Sequence, residues 1–446
     1  MKAALWRWIT THRLLLSNAG SLLGTTIATS GFGFVYWWAA ARLFSPEAVG
    51  FSSAAISAMT LLGTGAILGL GTLLVGELPH QPGKEAALIS AALLLVAALG
   101  GVSGIILAVA APFLAKDLAP LGANIGVSVV FAAGASLTAV TIVLDQAMIG
   151  LWRGGVQFFR NAAFSVIKLA LVFAIGFWLA GATWMTIYAT WTAGNALSLL
   201  MLAGYALWKG SWSRQIYHPQ WRLLWKLGPA ALQHHVLNLI LRAPMLALPV
   251  LVTLQLSVTM NAWFYVALMI ANGVFSIPLA LTTVLFATES TTPEAVAQKT
   301  RLTLTLSLAL SLVALVVLFA FPKLLLGLFG QAYAAQAAWS LRLLGLAAIP
   351  LILKNHYIVL CRMQNQMVRA ILPLLAGLAL ELGGAAIGAY LGGLTGLSLG
   401  WVIAQCLEAA LMTPRVYRAV RLAVLLPLSA PPLALDMGKT KEGLHP

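Results

Sequence analysis

Ala41-Arg42-Leu43-Phe44-Ser45-Pro46-Glu47-Ala48-Val49-Gly50 ends one long apolar run and begins a second. Ser45 is an N-cap by type, because its hydroxyl accepts from the orphan N–H groups of a first helical turn. Pro46 suits the first helical position, where no donor is needed, and Glu47 complements the positive end of the helix dipole. Further on, Leu256-Ser257-Val258-Thr259-Met260-Asn261-Ala262-Trp263 breaks another apolar pair in the same way, with Ser257 in the place of Ser45 after a shift of 212 residues. Two breaks of one design predict a chain built from two copies of one unit.

Other positions repeat. Glu77 falls on Glu289 with the same shift, Pro112 falls on Pro322, and Leu151, Arg153 and Arg160 fall on Leu360, Arg362 and Arg369 with a shift of 209. Near the end of each half, Trp191 and Asn195 meet Trp401 and Gln405. Internal similarity over about six helices is the mark of a transporter assembled from repeats. Six is even, so both copies enter the membrane from the same side and are related by a pseudo-twofold along its normal, with a cleft between them.

The composition agrees with this. Of 446 residues, 61% are hydrophobic and 8% charged, and the mean hydropathy is +0.94, too apolar for a solvated surface. A spanning helix needs about 20 apolar residues, and about twelve such stretches are present, centred near Thr26, Gly63, Ala98, Gly134, Leu169, Thr192, Asn238, Ile270, Ser311, Ile349, Leu380 and Ala404. The fold class predicted is an all-α polytopic membrane protein of two six-helix lobes. Residues 1–208 are expected to form the first lobe, 209–226 a basic and aromatic amphipathic connector, 227–420 the second lobe and 421–446 a cytoplasmic tail of Leu, Pro and finally polar residues. The first apolar run is longer than the core of a signal peptide and reads as a retained anchor.

The net charge of +15 does not point to nucleic acid. Among Lys and Arg, only Arg42, Lys116, Lys323 and Arg342 fall on the side opposite the termini, and Lys168, Arg242 and Lys354 fall inside helices; the rest, Arg160 and Arg362 included, are assigned to the side holding both termini. The positive-inside rule then puts both termini in the cytoplasm, and the connector is expected on anionic membrane lipid. Cys361 and Cys406 lie in separate apolar helices, which predicts neither a disulfide framework nor a zinc site.

Ionisable groups inside a bilayer are costly, and each is a functional candidate. Arg242 falls near the middle of helix seven with His234 and His235 about two turns away, and the spacing of Arg242 and His235 places them on one helical face. A cationic face at that depth suits a phosphate-bearing substrate, since guanidinium binds phosphate bidentately. Arg42, at the far end of helix one, is a further candidate substrate contact. Asp145 and Lys168 are expected either as an intramembrane pair or, for Asp145, in a cross-lobe gate with its counterpart Lys354; Glu381 and Glu408 are candidates for gate, proton or sodium sites, or else neutralise neighbouring polar groups. No phosphate loop, His-Glu-x-x-His or nucleophile elbow is present, so no catalytic, metal or cofactor site is predicted and the chain is read as a non-enzyme.

The turn at 41–50, Gly69-Leu70-Gly71-Thr72 and Leu328-Phe329-Gly330-Gln331-Ala332-Tyr333 resemble the polysaccharide transporters of the multidrug/oligosaccharidyl-lipid/polysaccharide (MOP) superfamily, most of all the bacterial Wzx-type oligosaccharide flippases. The resemblance runs from about Leu14 to Arg421. It implies a MATE-like fold in the bacterial inner membrane and alternating access that moves undecaprenyl-pyrophosphate-linked oligosaccharide outward for surface polysaccharide synthesis. Basic residues of helices one, two, seven and eight would face the glycolipid, as Arg242 does by position, and a polymerase and glycosyltransferases would be partners. The rivals are a cation-coupled multidrug exporter, which typically uses a carboxylate in the first lobe, and a non-transporting scaffold of a glycan-assembly complex.

Overall fold

The computed structural model describes residues 13–179, 181, 183–209, 219, 221–287, 293–364 and 366–424. Of the expected connector at 209–226, residues 210–218 and 220 lie outside the described residues and 221–226 begin a long helix; of the expected tail at 421–446, residues 425–446 lie outside the described residues.

Among the described residues, six long helices precede the connector and six follow it, with short helical turns between some of them. The first half contains α1 (Arg13–Leu43), α2 (Pro46–Ala66, resuming as Leu70–Glu77), α3 (Glu85–Leu114), α4 (Ile125–Gly150), α5 (Gly154–Trp178) and α6 (Trp184–Trp208). The second contains α7 (Trp221–Gln255), α8 (Val258–Ala287), α9 (Pro293–Ala320) and α10 (Ala338–Leu346 continued by Ala348–Met363). Met367–Val424 is two arms, α11 (367–391) and α12 (394–424), meeting where Gly392 and Gly393 leave helical geometry. Among the described residues, nine helices are long and apolar enough to cross a membrane, the two-armed helix being one of them.

The turns are built as their residues dictate. The Ser45 hydroxyl accepts from the Ala48 N–H at 3.2 Å, and the Ser257 hydroxyl from the Met260 N–H at 3.0 Å. The break within α2 comes at Leu68 and Gly69, both at positive φ, which costs glycine little and leucine more. Gly384 and Gly388 of α11 meet Gly400 and Gly396 of α12 backbone to backbone, the close approach that small residues allow between membrane helices.

Packing repeats with the sequence. In the first bundle α1 lies on α5, α3 on α4, and α2 on α4; in the second α7 lies on α11, α9 on α10, and α8 on α10. The outer helices α3 and α9 leave Val102, Ile106 and Val109, and Val313, Val316 and Val317, exposed, as helices against lipid do. At the end holding the Ser45 and Ser257 turns, one apolar cluster runs through both bundles, from Tyr36, Trp37 and Val49 to Phe264, Leu268 and Phe329. Toward the other end it divides. Leu74, Leu88 and Val143 form a cluster in the first bundle, on which α7 leans through Leu224, and Leu237, Leu360 and Met412 form another in the second. A core that is shared at one end and split at the other is a cleft closed at the turn end. Trp37 of α1 meets Tyr265 of α8 with ring centroids 4.6 Å apart, while nearer the other end none of the described residues comes within 4 Å of a Cβ placed on Gly31, Gly33 or Gly273.

Candidate functional site

A cavity of about 460 Å³ opens in the second bundle, away from the closed turn end. Its wall is made by one face each of α7 (Asn238, Arg242, Met245), α8 (Asn272, Phe275, Ser276) and α10 (Lys354, Asn355, Arg362), with Glu381 of α11 and Gln405 of α12 behind them. The spacings of three, four and eight residues are those of side chains stacked along one side of a helix.

Lys354 organises the back of this cavity. Its Nζ donates to Glu381 Oε1 at 2.6 Å and Glu408 Oε2 at 2.8 Å, with all three side chains under a tenth exposed. Glu381 Oε2 accepts from Trp401 Nε1 at 2.8 Å and Gln405 Nε2 at 2.9 Å, so this carboxylate is fully occupied. Removing ions from water is costly and is offset only by such complete pairing. The guanidinium groups in front have no such partner. Arg242 is exposed to the cavity with no acceptor among the described residues, and Arg362 reaches only the Asn238 amide oxygen, at 3.4 Å. Counting Glu408 behind the wall, three cations face two carboxylates, and the formal excess is positive.

The first bundle carries a counterpart of opposite sign. Asp145, equivalent to Lys354, pairs with Arg160, with Nη2 to Oδ2 at 2.6 Å and Nε to Oδ1 at 2.8 Å, and the Asn161 amide adds a third bond to the same carboxylate. This corrects two expectations. Arg160 is buried inside the bundle, not on the loop side, and Asp145 is bound to it instead of to Lys168 or, across the cleft, to Lys354. Lys168 is buried without a carboxylate in a box of aromatic faces, its Nζ 3.7 Å from the Trp191 ring centroid, 4.6 Å from Phe164 and 5.2 Å from Tyr36. That geometry gives an ammonium cation–π attraction in place of an ion pair.

Of the remaining predicted residues, neither His235 nor Arg42 lines the cavity. His235 turns to α2, its Nε2 3.1 Å from the Gly65 carbonyl, so the face it was expected to share with Arg242 is not shared in the cavity; the side chain of His234 lies outside the described residues. Arg42 spans the closed seam, donating to the carbonyls of Leu328 at 2.8 Å and Gly327 at 3.1 Å. Beside it Thr259 donates to Glu47, and the Asn261 amide donates to the Gly50 carbonyl at 2.8 Å and Ser53 Oγ at 3.0 Å. The sequence reading missed Arg362 and Asn238 as cavity residues. A signal was available for Arg362, which is eight residues after Lys354 and therefore on the same side of α10.

Two bundles with equivalent internal packing, joined at one end around a central cleft, define the architecture. It is the fold of MATE transporters of the MOP superfamily. A multidrug resistance MATE family transporter in its inward-facing conformation superposes with a TM-score of 0.68 at 15% identity, over 92% of this chain and 100% of that one. The outward-facing conformation of a MATE family transporter gives 0.61, also at 15% identity, over 90% and 96%. A MOP superfamily transporter from Pyrococcus furiosus, whose binding pocket of reverse polarity is taken to suggest a different function, gives 0.61 at 13% identity over 92% and 96%. No protein-family model and no curated protein matches the sequence. At these identities the likeness is one of fold.

Proposed function

We propose that the chain is an alternating-access flippase for a lipid-linked oligosaccharide, carrying an undecaprenyl-pyrophosphate-type glycolipid from the cytoplasmic to the outer leaflet of a bacterial inner membrane. The observation that supports this reading is the positive excess in the second-bundle cavity: Arg242 and Arg362 face one space, and the nearby carboxylates are held by Lys354. Two guanidinium groups with free donors suit a pyrophosphate, and the amides of Asn238, Asn272 and Asn355 suit sugar hydroxyls. With both termini in the cytoplasm, as the basic loops suggest, the cavity opens inward and the Arg42, Glu47 and Asn261 contacts close the outer end. Substrate entry would be followed by separation of that seam. A polymerase and glycosyltransferases would supply and consume the glycan.

The test is export in cells. Arg242→Ala and Arg362→Ala, at wild-type protein levels, leave lipid-linked glycan on the cytoplasmic leaflet; unchanged export in both would remove the cavity from the mechanism.

A second reading, a cation-coupled multidrug exporter, is favoured by one observation: two carboxylates share one ammonium at the cavity's back, and Glu408 Oε1 has no hydrogen-bond partner among the described residues. It predicts that cationic drugs, and not anionic glycolipids, bind, and that Glu408→Gln abolishes their efflux.

A further inference from the structure

Two smaller cavities lie at the opposite end from the Ser45 and Ser257 turns, apart from the Arg242 cavity. Between the start of α5 and the end of α6 a groove of about 430 Å³ is lined by Arg153, Gly155, Phe159 and Tyr205. Between the end of α10 and α12 a groove of about 420 Å³ is lined by Gln364, Gln366, Arg415 and Arg418. The two stand at corresponding ends of the repeats and share part of their lining, although Arg153 itself falls on Arg362, which faces the Arg242 cavity. The shift of 209 carries Gly155 to Gln364, and the shift of 210 that aligns Trp191 with Trp401 carries Tyr205 to Arg415 and Trp208 to Arg418.

Each groove presents cations with donors to spare. The Arg153 guanidinium has no acceptor among the described residues, and the Lys209 ammonium stands 5.3 Å from the Tyr205 ring centroid. Among the described residues, Arg415 lies over the Tyr357 ring and engages only Nη2, with the Gln364 and Gln366 amide oxygens, and Arg418 engages only Nε, with the Pro414 carbonyl. Among the described residues, no carboxylate lines either groove. The surroundings are those of a membrane interface, with Trp152, Phe159 and Trp208 exposed around the first groove and Tyr417 beside the second.

We propose that these grooves are a repeat-related pair of sites for the headgroup of an anionic phospholipid, one in each bundle and both in the same leaflet. Guanidinium groups recognise the phosphodiester, and the apolar parts of the walls, Val156, Phe159 and Leu202 in one and Leu360 and Ala419 in the other, meet the first part of the acyl chains. A soluble anion would use the cations and leave those walls uncovered. The interfacial field of an anionic leaflet draws basic clusters to this depth. The lipids would tie both bundles to one leaflet while the opposite end opens.

Native mass spectrometry of the purified full-length protein, titrated with phosphatidylglycerol or phosphatidylcholine, tests this. The expected result is two phosphatidylglycerol molecules retained in preference to phosphatidylcholine. Arg153→Gln removes one, the pair Arg415→Gln and Arg418→Gln removes the other, and Arg153→Lys keeps it; inorganic phosphate does not displace the lipid. Equal retention of the two lipids by the wild-type protein would overturn the proposal whether or not the variants fold. So would full retention by the folded glutamine variants, or displacement by inorganic phosphate, which would make these sites for a free anion.

Discussion

The Thr259 hydroxyl donates to Glu47 Oε1 at 3.2 Å, and the two residues, 212 apart, occupy equivalent positions in the two halves of the chain. Residues related by a twofold touch one another only beside its axis, so the pseudo-twofold passes close to this bond and the seam is closed there. The same seam holds Asn261 to Gly50 and Arg42 to the 327–328 carbonyls. Each of these bonds must break for the turn end to open.

Thr259→Val removes one of them with little change in volume. A hydrogen bond of this kind contributes about 1 kcal/mol net, which is roughly fivefold in an equilibrium constant. Spin labels at Lys116 and Leu324, exposed at this end of opposite bundles, should show a larger fraction of long distances in the variant. An unchanged distribution would mean that the bond does not bias the cycle.

Gly50 has a stricter role. A Cβ there would stand 1.8 Å from the Val258 carbonyl oxygen and 3.0 Å from the Ala262 nitrogen, both backbone atoms of α8. Gly50→Val should fold, since the side chain is accommodated once the bundles separate, but it should not reach the closed state. The same label pair would report long distances only, and transport would be lost.

The two buried lysines separate by their partners. Lys354→Met strands two carboxylates that now share its ammonium, and breaking a buried pair by removing one partner costs roughly 3–5 kcal/mol. Lys168→Met removes a buried ammonium that has no carboxylate and leaves a side chain of similar length among Tyr36, Phe164 and Trp191. Thermal unfolding should therefore fall sharply for Lys354→Met and stay level or rise for Lys168→Met. Equal losses would show that the aromatic box holds the charge as firmly as an ion pair does.

The fold was legible in the sequence because its determinants are local or periodic. Ser45 and Ser257 cap by short-range hydrogen bonds, and the apolar runs are set by the thickness of a bilayer. The site was less legible, because which face of a helix looks at which neighbour is a tertiary fact. Arg242 was recognisable by its depth, but Arg160 and Arg362 stand near helix ends, where a cation ordinarily reaches water, and only packing of α5 against α4 and of α10 against α7 brings them inside. His235 shows the same limit: two turns of helix align it with Arg242, yet the break in α2 presents the Gly65 carbonyl, and the imidazole turns there. The pairing of Asp145 was misassigned because Arg160 and Lys168 are both on α5, and sequence alone does not choose between them.

In the proposed cycle the second-bundle cavity holds the anionic headgroup of a lipid-linked glycan while the bundles rock between the closed seam and a state in which it is parted. The most direct test of this cycle is flipping by the purified protein in liposomes, with a fluorescent undecaprenyl-pyrophosphate-linked saccharide and an impermeant quencher. Wild-type protein should expose the glycolipid to the quencher faster than protein-free liposomes, and Arg242→Ala combined with Arg362→Ala should return the rate to background while the protein stays folded. Wild-type rates in the double variant, or transport of a cationic drug and not of the glycolipid, would contradict the account.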